Sequence, residues 1–317
     1  MGHQATVQHL RLDGIRMRDP FILEAAPGEF VLFGTSDENV WGGPATGFDC
    51  YTSRDLEHWE GPIAAFRPPA GFWADTQFWA PEVYALDGRF FMLATLATSS
   101  GARPRGVAVL ASDNPTGPYQ PWSDGPVTPP TQPCLDGTLH VDDGGARWLV
   151  YSRGTEGTPA GPGIRDGELY AVHLSADLRC TVGEPVLLFA ASSANWTRPL
   201  RFPEGVEPPK GLNLATDPLF TDGPFLIGGA GGTLLMLWSS HGEDGYAMGL
   251  AESASGTVTG PWIQRPEPLW SSDGGHGMVL RASGGRDYLA FHWPNSTPDE
   301  RVRLTEVDVS GAGIRIL

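Results

Sequence analysis

The chain has 317 residues and a formal net charge of −16, with 37 acidic against 21 basic side chains and a single lysine, Lys210. Affinity for nucleic acid comes mainly from neutralising phosphates, so this balance excludes a nucleic-acid partner and favours a neutral or small ligand. No apolar run is long enough to cross a bilayer, which excludes a membrane-spanning helix, and 42 glycines with 29 prolines supply many turns instead.

Strand signals recur in five units. After Arg18-Asp19-Pro20 come apolar runs at 21–23 and 29–33 around a Pro27-Gly28 turn, then 48–53 leading to Trp59. After Trp79-Ala80-Pro81-Glu82 come 83–85 and 90–93 around Asp87-Gly88, then 106–112. After Leu135-Asp136-Gly137 come 138–141 and 148–151, then 168–174; after Asp222-Gly223-Pro224 come 225–227 and 234–238, then 246–253. After Gly275-His276-Gly277 come 278–280 and 288–292, then 302–307. Each unit reads strand, turn, strand, loop, strand, the pattern of an antiparallel meander. Meanders recurring at irregular spacings of about 55 to 85 residues predict propeller blades over a sandwich. The expected fold is all-β, a five-bladed β-propeller forming one unit over 1–317. A Pro-rich insertion from Trp196 to Pro209 is expected to loop over one face and shape a pocket.

Smaller signals add little. Cys50, Cys134 and Cys180 have no CxxC spacing and read as small apolar side chains. A myristoylation match at Gly2 to Thr6 and glycosylation matches at Asn195 and Asn295 are short, common patterns. The first residues lack a charged-then-apolar segment, so the expected location is the cytoplasm, or outside the cell if a leader has been removed.

Three repeat-starting turns carry an aspartate: Asp19, Asp136 and Asp222. In a radial arrangement the first strands converge on one axis and these carboxylates face one pocket. Hydrolysing a glycosidic bond needs one carboxylate to activate water and one protonated carboxyl to donate to the leaving oxygen, and a third negative charge nearby raises the acid's pKa. Against this stands the ordinary role of Asp-Pro and Asp-Gly in capping turns. Three at nearly the same phase of a repeat are harder to assign to turns.

The order and spacing of Arg18-Asp19-Pro20, Phe78-Trp79-Ala80-Pro81-Glu82-Val83, Leu135-Asp136-Gly137-Thr138, Asp222-Gly223-Pro224-Phe225, Gly275-His276-Gly277-Met278 and Arg301 resemble glycoside hydrolase family 43 across nearly the whole chain. The resemblance implies a five-bladed propeller that inverts anomeric configuration and removes arabinofuranosyl, xylosyl or galactosyl units. It makes Asp19 the general base, Asp136 the residue tuning the acid, and Asp222 the occupant of the acid's position. One departure is that the family has glutamate where Asp222 stands, one methylene longer. Glu243 is the second choice for the acid, followed by Glu204 and Glu207.

The same resemblance makes His276 the axial histidine, holding a structural Ca²⁺ chiefly through water, with no cofactor required for the chemistry; calcium's preference for oxygen demands carbonyls and water there. Arg301 is expected to pair with Asp19, and Glu82 and His292 are placed among the substrate contacts. Trp41, Trp73 and Phe78 are expected to form an aromatic platform, while Trp59, Trp122 and Trp262 read as blade packing. The expected activity is an exo-acting inverting hydrolase of oligosaccharides or polysaccharide side chains, arabinofuranosyl first, galactosyl or xylosyl next. Two alternatives stay open: a non-catalytic carbohydrate-binding propeller, and a mannoside phosphorylase, against which the scarcity of clustered arginine weighs.

Overall fold

The computed structural model describes residues 8–158, 163–202, 214–310 and 313–317. Among these, five antiparallel sheets stand in a ring, a five-bladed β-propeller. Blade 1 holds β1 (Gln8–Arg11), β2 (Arg18–Ala26), β3 (Glu29–Thr35), β4 (Phe48–Ser53) and β5 (His58–Phe66), with β1 added outside β5. Blade 2 holds β6 (Thr76–Leu86), β7 (Arg89–Ala97), β8 (Gly106–Ser112) and β9 (Gln120–Pro126). Blade 3 holds β10 (Cys134–Val141), β11 (Arg147–Arg153), β12 (Glu168–Leu174) and β13 (Thr181–Ala190). Blade 4 holds β14 (Asp222–Gly228), β15 (Leu234–Gly242), β16 (Gly245–Ser253) and β17 (Trp262–Gln264). Blade 5 holds β18 (Gly275–Arg281), β19 (Asp287–Trp293), β20 (Arg301–Ser310) and β21 (Gly313–Ile316). No described helix is long and apolar enough to cross a membrane.

Each blade is a four-strand meander, where the sequence pattern predicted three strands. The inner strands were legible because both faces are covered. β8, Gly-Val-Ala-Val-Leu-Ala-Ser, is buried at every position, so it reads as a continuous apolar run. The outer strands escape that reading. β9 carries Pro-Trp-Ser-Asp-Gly-Pro and β13 alternates poorly, both largely exposed, so neither burial nor alternation marks them.

Period-two side-chain alternation packs each blade against both neighbours. In β7, Met92 and Ala94 join Phe33, Phe48 and Phe66 of blade 1, while Phe91 and Leu93 join Leu139, Leu149 and Tyr151 of blade 3. In β15, Met236 and Trp238 face Leu169 and Phe189, while Leu235 and Leu237 face Val279 and Phe291. The ring closes where Met17, Phe21 and Ile22 meet Met278, Leu280 and Ala290, beside a bridge between Arg16 and Arg301. Trp59 is fully buried there, and Trp122 and Trp262 pack partly buried against other blade interfaces.

Two of the three expected platform aromatics belong to this packing. Phe78 is 1% exposed and stacks with Phe48 and Phe66 at ring separations of 5.7 and 6.0 Å. Trp73 packs on the same cluster under the Arg103 guanidinium. Phe78→Ala is therefore expected to lower stability by about 3–5 kcal/mol in urea titration and to leave KM unchanged. A raised KM at unaltered stability would return the ring to substrate binding.

Candidate active site

Every innermost strand carries the same irregularity. Arg18 pairs with Thr35 and Phe21 with Phe33; Trp79 with Thr95 and Glu82 with Leu93; Leu135 with Ser152 and Thr138 with Val150. Asp222 pairs with Ser239 and Phe225 with Leu237; Gly275 with His292 and Met278 with Ala290. Three residues on one strand thus span two on its partner, which is a β-bulge. The residue after the first pair is left-handed in all five blades: Asp19 (φ 51°), Ala80 (43°), Asp136 (54°), Gly223 (45°) and His276 (50°). The next residue is Pro20, Pro81, Gly137, Pro224 or Gly277. Proline suits a position whose ladder N–H has no partner.

The bulges order the three aspartates differently from the sequence pattern. Asp19 and Asp136 are the left-handed residues of their blades, whereas Asp222 sits one position earlier, with Gly223 in the left-handed place. Only glycine fits there: a Cβ would lie 2.6 Å from His276 Cγ.

The backbone N–H of each left-handed residue is accepted by the preceding blade. Ala80 donates to Thr35 Oγ1 and Asp136 to Thr95 Oγ1, both at 2.8 Å. His276 donates to Ser239 Oγ at 2.8 Å and Asp19 to His292 Nδ1 at 3.2 Å. Gly223 instead donates to Asp136 Oδ2 at 3.1 Å, so the carboxylate of one blade caps the bulge of the next.

These contacts bring Asp19, Asp136 and Asp222 to one floor. Asp19 Oδ2 accepts the Thr35 hydroxyl at 2.6 Å, and Oδ1 lies 3.2 Å from His276 Nδ1. His276 Nδ1 is also 3.8 Å from Asp136 Oδ2. Burial alone would raise the pKa of Asp19, but His276, the Arg18 guanidinium and the Thr35 hydrogen bond outweigh it and hold the carboxyl below its usual value. His292 Nδ1 lies 3.4 Å from the same carboxylate, yet this is no ion pair. Its Nδ1 accepts the Asp19 amide, its Nε2 faces Asn295 Oδ1 at 3.0 Å, and burial with Arg18 pushes its pKa down to about 3.

Asp222 shifts the opposite way. Burial, then the neighbouring Asp136 charge and their shared hydrogen bond, raise its pKa well above the usual carboxyl range. Burial also raises Asp136, despite its hydrogen bonds from Asp222 and Gly223. The surroundings therefore favour the ionised form at Asp19 and a proton on the Asp222–Asp136 pair.

A pocket of about 630 Å³ opens above this floor, walled by Trp41, Trp79, Arg105, Glu156, Phe220, His241 and Tyr246, with Leu200, Arg201, Phe202 and Leu214 from the insertion side. Trp41 is the one expected platform residue that faces it, half-open and lying under the Arg18 guanidinium at 5.0 Å. Arg105 is ion-paired to Glu156 and stacks over Trp79 at 4.8 Å. Trp196, the first residue of the insertion, instead stacks on Trp238 at 4.9 Å in the core. Glu204 and Glu207 lie outside the described residues.

Other expected contacts are elsewhere. Arg301 does not reach Asp19. It begins β20, two strands outward from the axis, and donates to the carbonyls of Pro298 and Glu300; Arg18 supplies the cation instead. Glu243 sits exposed on the surface, paired with Arg198 at 2.8 Å. Glu82 lies beneath the floor, three residues into its bulge, bonded to Tyr84 and Thr138 with its pKa pushed by burial up to about 8. His292 is wholly buried and braces Asp19 from behind, so it is not a substrate contact. Sequence reasoning missed Arg18, Trp79, Arg105, Phe220 and Tyr246. The first two occupy pre-bulge positions, a signal present in the five repeated turns.

Asp136, Asp222 and His276 each offer a ligand atom within 4.8 Å of the others. Calcium takes six to eight oxygens, and here two carboxyls share a proton while His276 Nδ1 faces Asp19. Direct coordination does not fit this donor set; an ion beside His276 would be held chiefly by water.

The sequence model of glycosyl hydrolases family 43 matches residues 14–312. Comparison with curated proteins finds no match. Among solved structures, the chain is similar to the endo-arabinase of Bacteroides thetaiotaomicron VPI-5482, with 35% identity over 95% of this chain and 97% of that one and a TM-score of 0.81. It shares its fold with an endo-1,4-beta-xylanase of the same organism (22% identity, 98% and 97% coverage, TM-score 0.70) and a xylan beta-1,4-xylosidase of Bacillus halodurans C-125 (20%, 95% and 55%, 0.66). With its bulged five-bladed ring, its floor of three carboxyls and this match over nearly its whole length, the chain belongs to glycosyl hydrolase family 43, whose members cleave glycosidic bonds with inversion.

Proposed function

We propose that the enzyme releases terminal arabinofuranosyl units from oligosaccharides or polysaccharide side chains, with galactosyl or xylosyl units next in order. The observation that carries the chemistry is three carboxyls on one floor with unlike neighbours: the Thr35 hydroxyl and His276 contact Asp19, whose pKa is held down, while Asp136 adjoins Asp222, whose pKa is pushed up. Asp19 takes a proton from water as that water attacks the anomeric carbon, and the Asp222 carboxyl supplies the proton for the departing oxygen. Asp136 shares the Asp222 proton and keeps its pKa high. Arabinose as the sugar is supported by the 35% identical endo-arabinase. Action at chain ends is supported by the walling of the pocket by Leu200, Arg201, Phe202 and Leu214.

That relative's own description favours a second reading, internal cleavage of an arabinan chain. Products from a reducing-end-labelled linear arabino-oligosaccharide separate the two. Stepwise release of monosaccharide supports exo action, and early internal fragments overturn it.

Asp19→Asn is expected to lower kcat by about 10² to 10⁴ with folding intact, because a general base is lost. Asp222→Asn is expected to act similarly on natural substrates; wild-type turnover in that variant would remove Asp222 from the acid's role. The pH profile of kcat/KM follows from the signs. Activity needs Asp19 ionised, so it falls as pH drops through that lowered pKa. It also needs Asp222 protonated, so it falls as pH rises through that raised pKa, and this alkaline limb is expected to disappear in Asp222→Asn.

A further inference from the structure

The occupant of the acid's position is short and already engaged. Asp222 Oδ2 accepts the Tyr246 hydroxyl at 2.7 Å, and the same carboxyl is hydrogen-bonded to Asp136. An aspartate reaches about 1.5 Å less far than a glutamate, one carbon–carbon bond. The Tyr246 hydroxyl stands 2.7 Å from that carboxyl, and the residue lines the pocket.

Tyr246 is also held immovably. Its ring is 2% exposed and lies between Phe220 at 6.3 Å and His292 at 5.5 Å, with interplanar angles of 20° and 17°. Gly275 lets it seat: a Cβ there would lie 2.8 Å from Tyr246 Cε1. What stays free is rotation of the hydroxyl hydrogen.

We propose that Tyr246 delivers the catalytic proton, its hydroxyl passing a hydrogen to the glycosidic oxygen while accepting the one held by Asp222. This deepens, and rests on, the assignment of Asp222 as the acid. As the anomeric carbon–oxygen bond breaks, the Tyr246 O–H bond breaks and a new O–H forms on the leaving sugar. Once the hydroxyl hydrogen has swung from Asp222 to the leaving oxygen, the proton shared with Asp136 sits on the Asp222 oxygen facing Tyr246; that Asp222 O–H breaks in the same step and its proton restores the phenol, leaving Asp222 as carboxylate. Asp19 meanwhile holds the proton from the attacking water, so charge and protons balance. Burial raises the Tyr246 pKa far above its usual value, so a free phenolate is not a resting point and the two transfers occur together.

The test uses Tyr246→Phe, which keeps the packed ring, beside Asp222→Asn and their double variant. Each is assayed on an unactivated arabino-oligosaccharide and on the 2,4-dinitrophenyl arabinofuranoside, whose leaving group needs little protonation. The relay requires Tyr246→Phe to lose about 10² to 10⁴ in kcat on the oligosaccharide and less than about tenfold on the aryl glycoside. The double variant should be no slower than the slower single one, because the two groups act as a unit. A loss of less than about threefold on the oligosaccharide, or equal losses on both substrates, overturns the relay. Full oligosaccharide activity in Asp222→Asn overturns the underlying acid assignment instead, an outcome distinct from any result with Tyr246→Phe alone.

Discussion

The constraint on which the molecule depends is the left-handed residue at the head of each innermost strand. A bulge there removes a backbone N–H from its own ladder, and a buried N–H without a partner costs about as much as a lost hydrogen bond. Each blade satisfies the next: Thr35 serves Ala80, Thr95 serves Asp136, Ser239 serves His276 and His292 serves Asp19. The interface between blades 3 and 4 breaks the pattern, since Gly223 donates to the Asp136 carboxyl. Ring closure and site assembly are therefore the same set of bonds. Left-handed backbone at non-glycine residues costs about 1–3 kcal/mol each, and here it aims Asp19, Asp136 and His276 at the axis.

The same geometry sets the charges. Three carboxyls meet on one floor, so burial and their mutual repulsion oppose ionisation of all three. Asp19 stays charged because Thr35 donates to it and Arg18 and His276 face it. Asp222 is pushed toward its protonated form because burial and the adjoining Asp136 outweigh the lowering effect of His276. His292 also stands beside Asp19, but its nitrogens are both engaged as those of a neutral imidazole. The pocket's described arginines are engaged as well, Arg18 with Asn295, Arg105 with Glu156 and Arg201 at 3.8 Å from Asp217. A phosphate-binding cluster would need them free, so this arrangement disfavours the phosphorolytic alternative.

Much of the fold was legible because a propeller repeats. Inner strands such as β8 are buried on both faces and read as apolar runs, while β9, β13 and β17 are short, polar or irregular and do not. In the site, the aspartates were visible through their turns. Phe78, Trp73 and Glu82 were misplaced because proximity in sequence to a blade's start does not say which face of the strand, or which layer along the axis, a side chain occupies; Arg301 was placed by family resemblance, and it and His292 lie on strands outside the innermost one, whose reach toward the axis sequence does not give. Glu82 stands three residues beyond its pre-bulge position, at the register that Phe21 and Phe225 occupy in their own blades, and bonds to Tyr84 rather than facing the pocket.

The sequence by itself determined five meanders, their order, and the chemical character of three carboxyl groups, because apolar alternation and turn residues are local properties. Tertiary structure decided which carboxyl keeps its proton, that Asp222 stands one residue out of phase with Asp19 and Asp136, and that Arg18 rather than Arg301 faces the base. Those outcomes depend on distances of a few ångströms between residues of different blades. Such distances exist only once the ring has closed and burial has made each charge felt by the next.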